Sequence, residues 1–399
     1  MSEAVISGIG VVSPLGIGAT AFWDALCSGR TAIAEIRRFD PGPTPPRLAA
    51  EVHEISARDV LPAPLVRRMD RVSQMIGVAA VLAVRDACLG RSAPGDDLAV
   101  VVGSALGNLS EAAQFLERVF TKGPSLASPM LFPNLVMNAP ASQVATALGW
   151  RGPNLTVSAG EISGESALDV AIDLLRRGRA RAVVVAAGEE LSAVVFRALR
   201  DFRHLSPRRR GRERSIPFDV EANGPVLGEG AAAVVVETPE SATRRGARVH
   251  ATIERVIRFQ LAVKNPHVWP APGAAREAGD LPILSADLVF SGADSSPERD
   301  ALELTLLARM VPADPPVYSL AGAVGSHAAQ GLTTLSTAAL ALSSGRLPPV
   351  VGLEQPRPEF PFHFPKEALS GSWTSGLVLG VARGGAGMAI EITREARRP

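Results

Sequence analysis

Continuous apolar runs alternate along the chain with segments that read as helices. The runs Val5–Val12, Leu98–Val102, Ala182–Ala187 and Ala231–Val236 carry few polar residues. Strands covered by helices on both faces look like this, because neither face meets water. Between them, Ala19–Ser28, Arg71–Cys88, Ser110–Phe120 and Ala167–Arg177 read as helices, Arg71–Cys88 through apolar residues at helical spacing. After a basic stretch at Arg244–Arg248 the pattern restarts. A strand is expected at Ala286–Phe290, helices at Arg299–Met310 and Thr333–Ser343, and a hairpin of Ser375–Val381 and Met388–Ile392 across Gly384, Gly385 and Gly387. Such alternation predicts an α/β fold. The proline-rich stretches Pro41–Pro46 and Pro356–Pro365 are expected as loops.

One segment carries chemistry. Leu155–Ser158 reads as a strand, followed by a turn of small residues and a helix that begins near Ile162. Such a junction holds the side chain of Glu161 at a helix N-terminus, among unpaired N–H groups and the positive end of the helix dipole. Enzymes hold nucleophilic cysteines at such places, where the thiol pKa falls and free N–H groups form an oxyanion hole.

Composition narrows the function. A chain of 399 residues with 46% hydrophobic content can bury a large core, and only 5% aromatics suits helices packed closely on strands. The net charge of +1 argues against a general nucleic-acid or anionic-membrane binder. No apolar run has the length of a membrane span, and the start of the chain has no signal-peptide pattern. Cys27 and Cys88 are too few for a disulfide framework and are expected as buried packing residues in a reducing cytoplasm. No metal site is expected. The run Pro207–Arg214 carries five arginines, including Arg208, Arg209, Arg210 and Arg212. It reads either as a solvated loop or as a docking patch for an acidic partner.

The segment Asn154–Ala171 resembles the nucleophile elbow of the β-ketoacyl-acyl carrier protein synthases, the condensing enzymes of fatty acid and polyketide synthesis. The resemblance spans almost the whole chain. It includes the opening Ile6–Gly16, Phe22-Trp23, Gly149–Pro153, Pro217-Phe218-Asp219 and Leu227–Ala231. It implies a thiolase-like fold of two duplicated βαβαβαββ halves in α-β-α-β-α layers. Residues 1–245 would form the half with the elbow, and 246–399 the other.

The catalytic positions depart from that pattern. The family's cysteine is replaced here by Glu161. Gly292 stands at the place of the first histidine, with Pro297, Asp300 and Glu303 following it. An ungapped count from Pro348-Pro349 puts Gly325 at the second histidine and Leu320 at the lysine, while a shift of one or two residues brings in Ser326 or His327, a possible remnant. Arg383 replaces the phenylalanine of the terminal gate.

These losses resemble those of chain length factors, the inactive subunits that pair with an active ketosynthase and shape its acyl pocket. The resemblance implies a heterodimer that binds no cofactor of its own. The acyl chain would arrive on the phosphopantetheine of an acyl carrier protein. It also implies that Leu109, Ala112 and Leu116, at i, i+3 and i+7 on one helix face, line the pocket. Two alternatives stay open. One is an acyl-processing enzyme such as a malonyl-carrier-protein decarboxylase using Glu161, although a carboxylate there would repel the malonyl group. The other is a homodimeric scaffold for acyl chains or carrier protein.

Overall fold

Two series of strands and helices follow one another. The first is β1 (Ala4–Ser13), α1 (Arg71–Asp86), β2 (Leu98–Gly103), α2 (Leu109–Lys122), β3 (Asn154–Val157), α3 (Ser163–Arg176), β4 (Ala182–Glu189) and β5 (Gly230–Glu237). The second is β6 (Ala251–Gln260), β7 (Leu288–Ser291), α4 (Pro297–Met310), β8 (Val317–Tyr318), α5 (Gly331–Ser344), β9 (Ser375–Val381) and β10 (Ala386–Thr393). With the short helix Pro272–Glu277 after β6, each series reads βαβαβαββ, and the first adds Ala193–Asp201 before β5. The structure is a computed structural model and describes residues 4–89, 95–263, 265, 267–279 and 281–394.

The strands form an eleven-stranded sheet in the order β8-β7-β9-β10-β6-β1-β5-β4-β2-β3, with the two-residue strand Gly16–Ile17 folded back on β1. The series meet where β1 pairs antiparallel with β6, Val5 opposite Thr252. Outward from this junction each side runs first, last, fourth, second and third strand of its series. In both, the last strand pairs antiparallel with the first and the fourth, and the outer pairs are parallel. The topology repeats although the sequences of the halves do not visibly do so.

Helix α1 covers β1, β5 and β4 on one face, while α3 packs on β4 and β2 from the other. Helix α5 packs on β9, β5 and α3, and α4 also packs on β9. Each residue of β4 and β5 is buried, which explains their unbroken apolar runs. Close approach of α1 to β1 depends on two glycines. A Cβ on Gly8 would lie 2.2 Å from the carbonyl oxygen of Ala83, and one on Gly10 would lie 2.0 Å from that of Ala79. Any side chain there would push the helix off the sheet.

One expectation needs correction. Cys88 lies beyond the end of α1 with φ +52° and is exposed, because the helix stops at Asp86 and the chain turns away from the core. Helix α2 has a strong apolar face yet buries no residue, so this face is left without cover. Among the described residues no helix is long and apolar enough to cross a membrane.

Candidate functional site: a charged cleft at the strand ends

A cleft of about 620 Å³ opens beyond the C-terminal ends of the parallel strands. Its lining includes Glu161 after β3, Glu189 at the end of β4, Asp294 after β7, His327 after β8 and Arg383 after β9. Ligand sites of open α/β sheets lie in this place, because loops leaving neighbouring strands diverge there.

Local packing sets the turn that presents Glu161. Gly160 has φ +59°, and Gly160–Ile162 forms a single 3₁₀ turn ahead of α3. The Ser163 hydroxyl donates to the Gly160 carbonyl at 2.7 Å and accepts from Ala159 N–H at 3.0 Å, closing the turn on itself. Gly103, at the end of β2, lets the start of α3 approach; a Cβ there would lie 2.3 Å from the Ser163 carbonyl oxygen.

Glu161 binds across the cleft. The Arg383 guanidinium donates to its carboxylate at 2.6 Å, and the Arg383 backbone N–H donates at 3.3 Å. Two positions expected from the sequence to depart from the condensing-enzyme pattern thus satisfy each other. The positive partner of Glu161 is this arginine, where the sequence suggested the helix N–H groups.

Behind the pair lies a second arginine. Arg299, at the start of α4, donates to Asp294 at 3.1 Å and to Glu303 at 3.0 Å while buried. Burial works against its charge, but Asp294, Glu303 and Glu161 more than offset this and raise its pKa. Its guanidinium fills the space beside Gly292, where a Cβ would lie 2.5 Å from Nη2. A histidine at position 292 would collide with it. Trp269 joins the two arginines, its ring centre 4.8 Å from the Arg299 guanidinium carbon and 5.1 Å from that of Arg383.

The turn after β8 shows which residues face the site. Gly325 has φ +68°, and a Cβ there would lie 2.7 Å from the Leu227 carbonyl oxygen. That position has no room for a side chain, and its neighbours Ser326 and His327 line the cleft. The Ser326 hydroxyl reaches Asp294 at 3.4 Å. His327 also lines the cleft; burial holds its pKa down at about 4, so the ring is neutral, and Nδ1 has no partner. Leu320 is buried in the core.

A small cavity of about 10 Å³, room for about one water, separates these groups from Glu165. Glu165 sits one helical turn after Glu161, wedged between α5 and β9. A Cβ on Gly331 would lie 2.1 Å from its carboxyl carbon, and one on Gly380 would lie 2.3 Å from Oε1. Its Oε2 has no partner, and burial pushes its pKa up to about 7 despite Arg299 nearby.

Three predicted pocket residues lie elsewhere. Leu109, Ala112 and Leu116 are on α2, outside the cleft lining, and Leu116 is half exposed. In the arginine run, Arg208 pairs with Glu298 at 2.5 Å, whereas Arg209, Arg210 and Arg212 are exposed. Sequence reasoning missed Glu165, Glu189, Trp269 and the role of Arg299. A glutamate beside Ala167, Leu168 and Ala171 on one helix was a usable signal for the first; Trp269 lies in a stretch with no periodicity and gave none.

The fold and this strand-end cleft define a thiolase-like protein. A model of the β-ketoacyl synthase N-terminal domain matches residues 1–242. The tetracenomycin polyketide synthase ketoacyl synthase alpha subunit of Streptomyces glaucescens is 32% identical over 383 residues, 90% of this chain and 88% of that protein. The ishigamide ketosynthase/chain length factor superposes with a TM-score of 0.89 at 23% identity, over 98% of this chain and 99% of its own. A type II polyketide acyl-carrier protein in complex with its ketosynthase gives a TM-score of 0.84 at 22% identity, over 98% and 99%. The chain belongs to the β-ketoacyl synthase family, and its homologues include type II polyketide ketosynthases.

Proposed function

We propose that this chain is a non-condensing member of the family, acting as the chain-length-factor subunit of a ketosynthase heterodimer in type II polyketide or fatty-acid-like synthesis. The Glu161–Arg383 ion pair carries this reading. A carboxylate locked to a guanidinium offers no nucleophile, and Arg299 excludes a histidine from position 292. Losing both an acyl acceptor and an enolate-stabilising histidine removes the two groups that condensation requires.

The uncovered face of α2 supports the pairing. Leu116 and Phe120 on α2, with Leu126, Met130 and Phe132 after it, form a run of exposed large apolar side chains. A ketosynthase subunit seated there would bury them. Ala112 would then face the partner's acyl tunnel, and its size would limit tunnel depth. Arg209, Arg210 and Arg212 suit an acidic carrier protein that brings the acyl chain on phosphopantetheine, with no cofactor resident in this chain.

Native mass spectrometry of the chain co-expressed with the ketosynthase encoded nearest to it tests the proposal. A one-to-one heterodimer supports it. A homodimer that ignores the ketosynthase, or condensation of acyl and malonyl carrier-protein substrates by the purified chain alone, refutes it.

A further inference from the structure

The cleft is lined by the carboxylates of Glu161, Glu189, Glu190 and Asp294, against the guanidiniums of Arg299 and Arg383. Both guanidiniums are engaged, Arg383 with Glu161 and Arg299 with Asp294 and Glu303. Glu189 and Glu190 remain. Glu189 Oε1 accepts only from neutral donors, Ser104 Oγ at 3.1 Å, Ala105 N–H at 2.5 Å and Leu106 N–H at 3.3 Å. Glu190 accepts from Ser110 N–H at 2.8 Å, and Arg38, the cation nearest in effect, is bound to Glu229 at 2.8 Å. Among the described residues neither glutamate forms an ion pair.

Three polar atoms on the same lining are out of solvent's reach and lack a hydrogen-bond partner: Glu189 Oε2, Ser192 Oγ and His327 Nδ1. Glu189 and Ser192 are each 1% exposed. Leaving such groups unpaired is costly. A cleft of this volume with several converging unpaired groups has the form of a small-molecule site.

We propose that the cleft binds a ligand bearing a protonated amine, with the ammonium seated against Glu189 and Glu190 and its remaining polar atoms meeting Ser192 and His327. Burial raises the pKa of both glutamates, that of Glu189 to about 7; a bound ammonium would draw them into the charged form, whereas an anion such as malonate would find both guanidiniums already engaged. An ammonium satisfies the free oxygen of Glu189 and supplies the missing positive charge. The amine can come from a free small molecule or from the end of a carried acyl chain, which present the same group to the cleft. The inference concerns this chain's own cleft and does not require a ketosynthase partner.

Isothermal titration of the full chain with four probes tests it: 1,5-diaminopentane, a 5-aminopentanoyl pantetheine amide, the pentanoyl analogue without the amine, and malonate. The 5-aminopentanoyl probe is expected to bind roughly 10- to 100-fold tighter than the pentanoyl one, the worth of one charge-assisted hydrogen bond. Tight binding of the diamine as well points to a free amine; preference confined to the pantetheine probe points to a carried chain. Glu189→Gln keeps an acceptor for Ala105 and is expected to abolish the preference. Glu190→Gln reads the same contrast should the first variant fold poorly. Equal binding of the amine and pentanoyl probes, tighter binding of malonate, no binding of any amine probe, or a preference surviving both substitutions overturns the proposal. Heterodimer formation is read by a different experiment, so either proposal can fail alone.

Discussion

Replacing Glu165 with glutamine removes a buried ionisable group without changing the side chain's shape. Glu165 has no cation within ion-pair distance among the described residues, its Oε2 has no partner, and burial raises its pKa from 4.5 to about 7. The sign follows from proton counting. Between the two pKa values the folded protein holds a proton that the unfolded chain has released, so stability falls as pH rises through this window. The stabilising contribution of the protonated form is complete below pH 4.5 and lost above about 7. Each pKa unit corresponds to about 1.4 kcal/mol, so the whole window is worth about 3 kcal/mol. Between roughly pH 5.5 and 8.5 about 2 kcal/mol of it should be visible. Glu189 and Asp300, also raised to about 7 by burial, titrate in both proteins and cancel in the difference. Urea unfolding of the wild type and Glu165→Gln should show the variant gaining by that amount as pH rises. A difference that stays constant with pH, or moves toward the wild type, would refute the account of Glu165 as a carboxyl group held neutral by burial.

Restoring Glu161→Cys alone should give no condensation with acyl and malonyl carrier-protein substrates, read by product mass spectrometry, because Arg299 still fills the space at Gly292. Enlarging Ala112→Phe should shorten the products of the ketosynthase partner; an unchanged chain-length distribution removes Ala112 from the tunnel wall. Tyr318 is buried in the core with no partner for its hydroxyl. Tyr318→Phe should therefore leave stability unchanged or raise it by about 1 kcal/mol, and a loss of more than about 2 kcal/mol in denaturant unfolding would show that the hydroxyl is satisfied.

Local patterns in the sequence reached the strands and the strand-turn-helix at Glu161, because burial on both faces and small-residue turns leave marks within a few residues. The hairpin of Ser375–Val381 with the following strand is seen with Val381 opposite Gly387, close to its expected place. The charge network was not legible. Arg299 lies two residues into a helix beside Glu298 and Asp300, which reads as a solvated helix start. It is buried among Gly292, Asp294 and Glu303, with Trp269 against its guanidinium. Cys88 failed for the opposite reason: its apolar neighbours extended a helical pattern past the point where the backbone turns left-handed. The crowding at Gly325 was not legible either, since only φ and the nearby Leu227 carbonyl reveal that no side chain fits there.

The charged and aromatic side chains around the cleft form a connected set. Arg383 faces Glu161, Arg299 faces the space above Gly292, Trp269 lies between the guanidiniums, and Glu165 lies across the small cavity. Each charged side chain is tolerable because of another: Arg299 without Asp294 and Glu303 would be an unpaired buried cation, costing several kcal/mol. Changing one member leaves its partner stranded, so the acidic and basic side chains of the cleft hold one another in place. A single change at Glu161 would expose the Arg383 charge to the cleft without supplying a histidine or space for one. The cleft is therefore stable in its altered form. Glu189 and Glu190, on the same lining, form no ion pair among the described residues, so a cation meeting them would leave the Glu161–Arg383 pair in place.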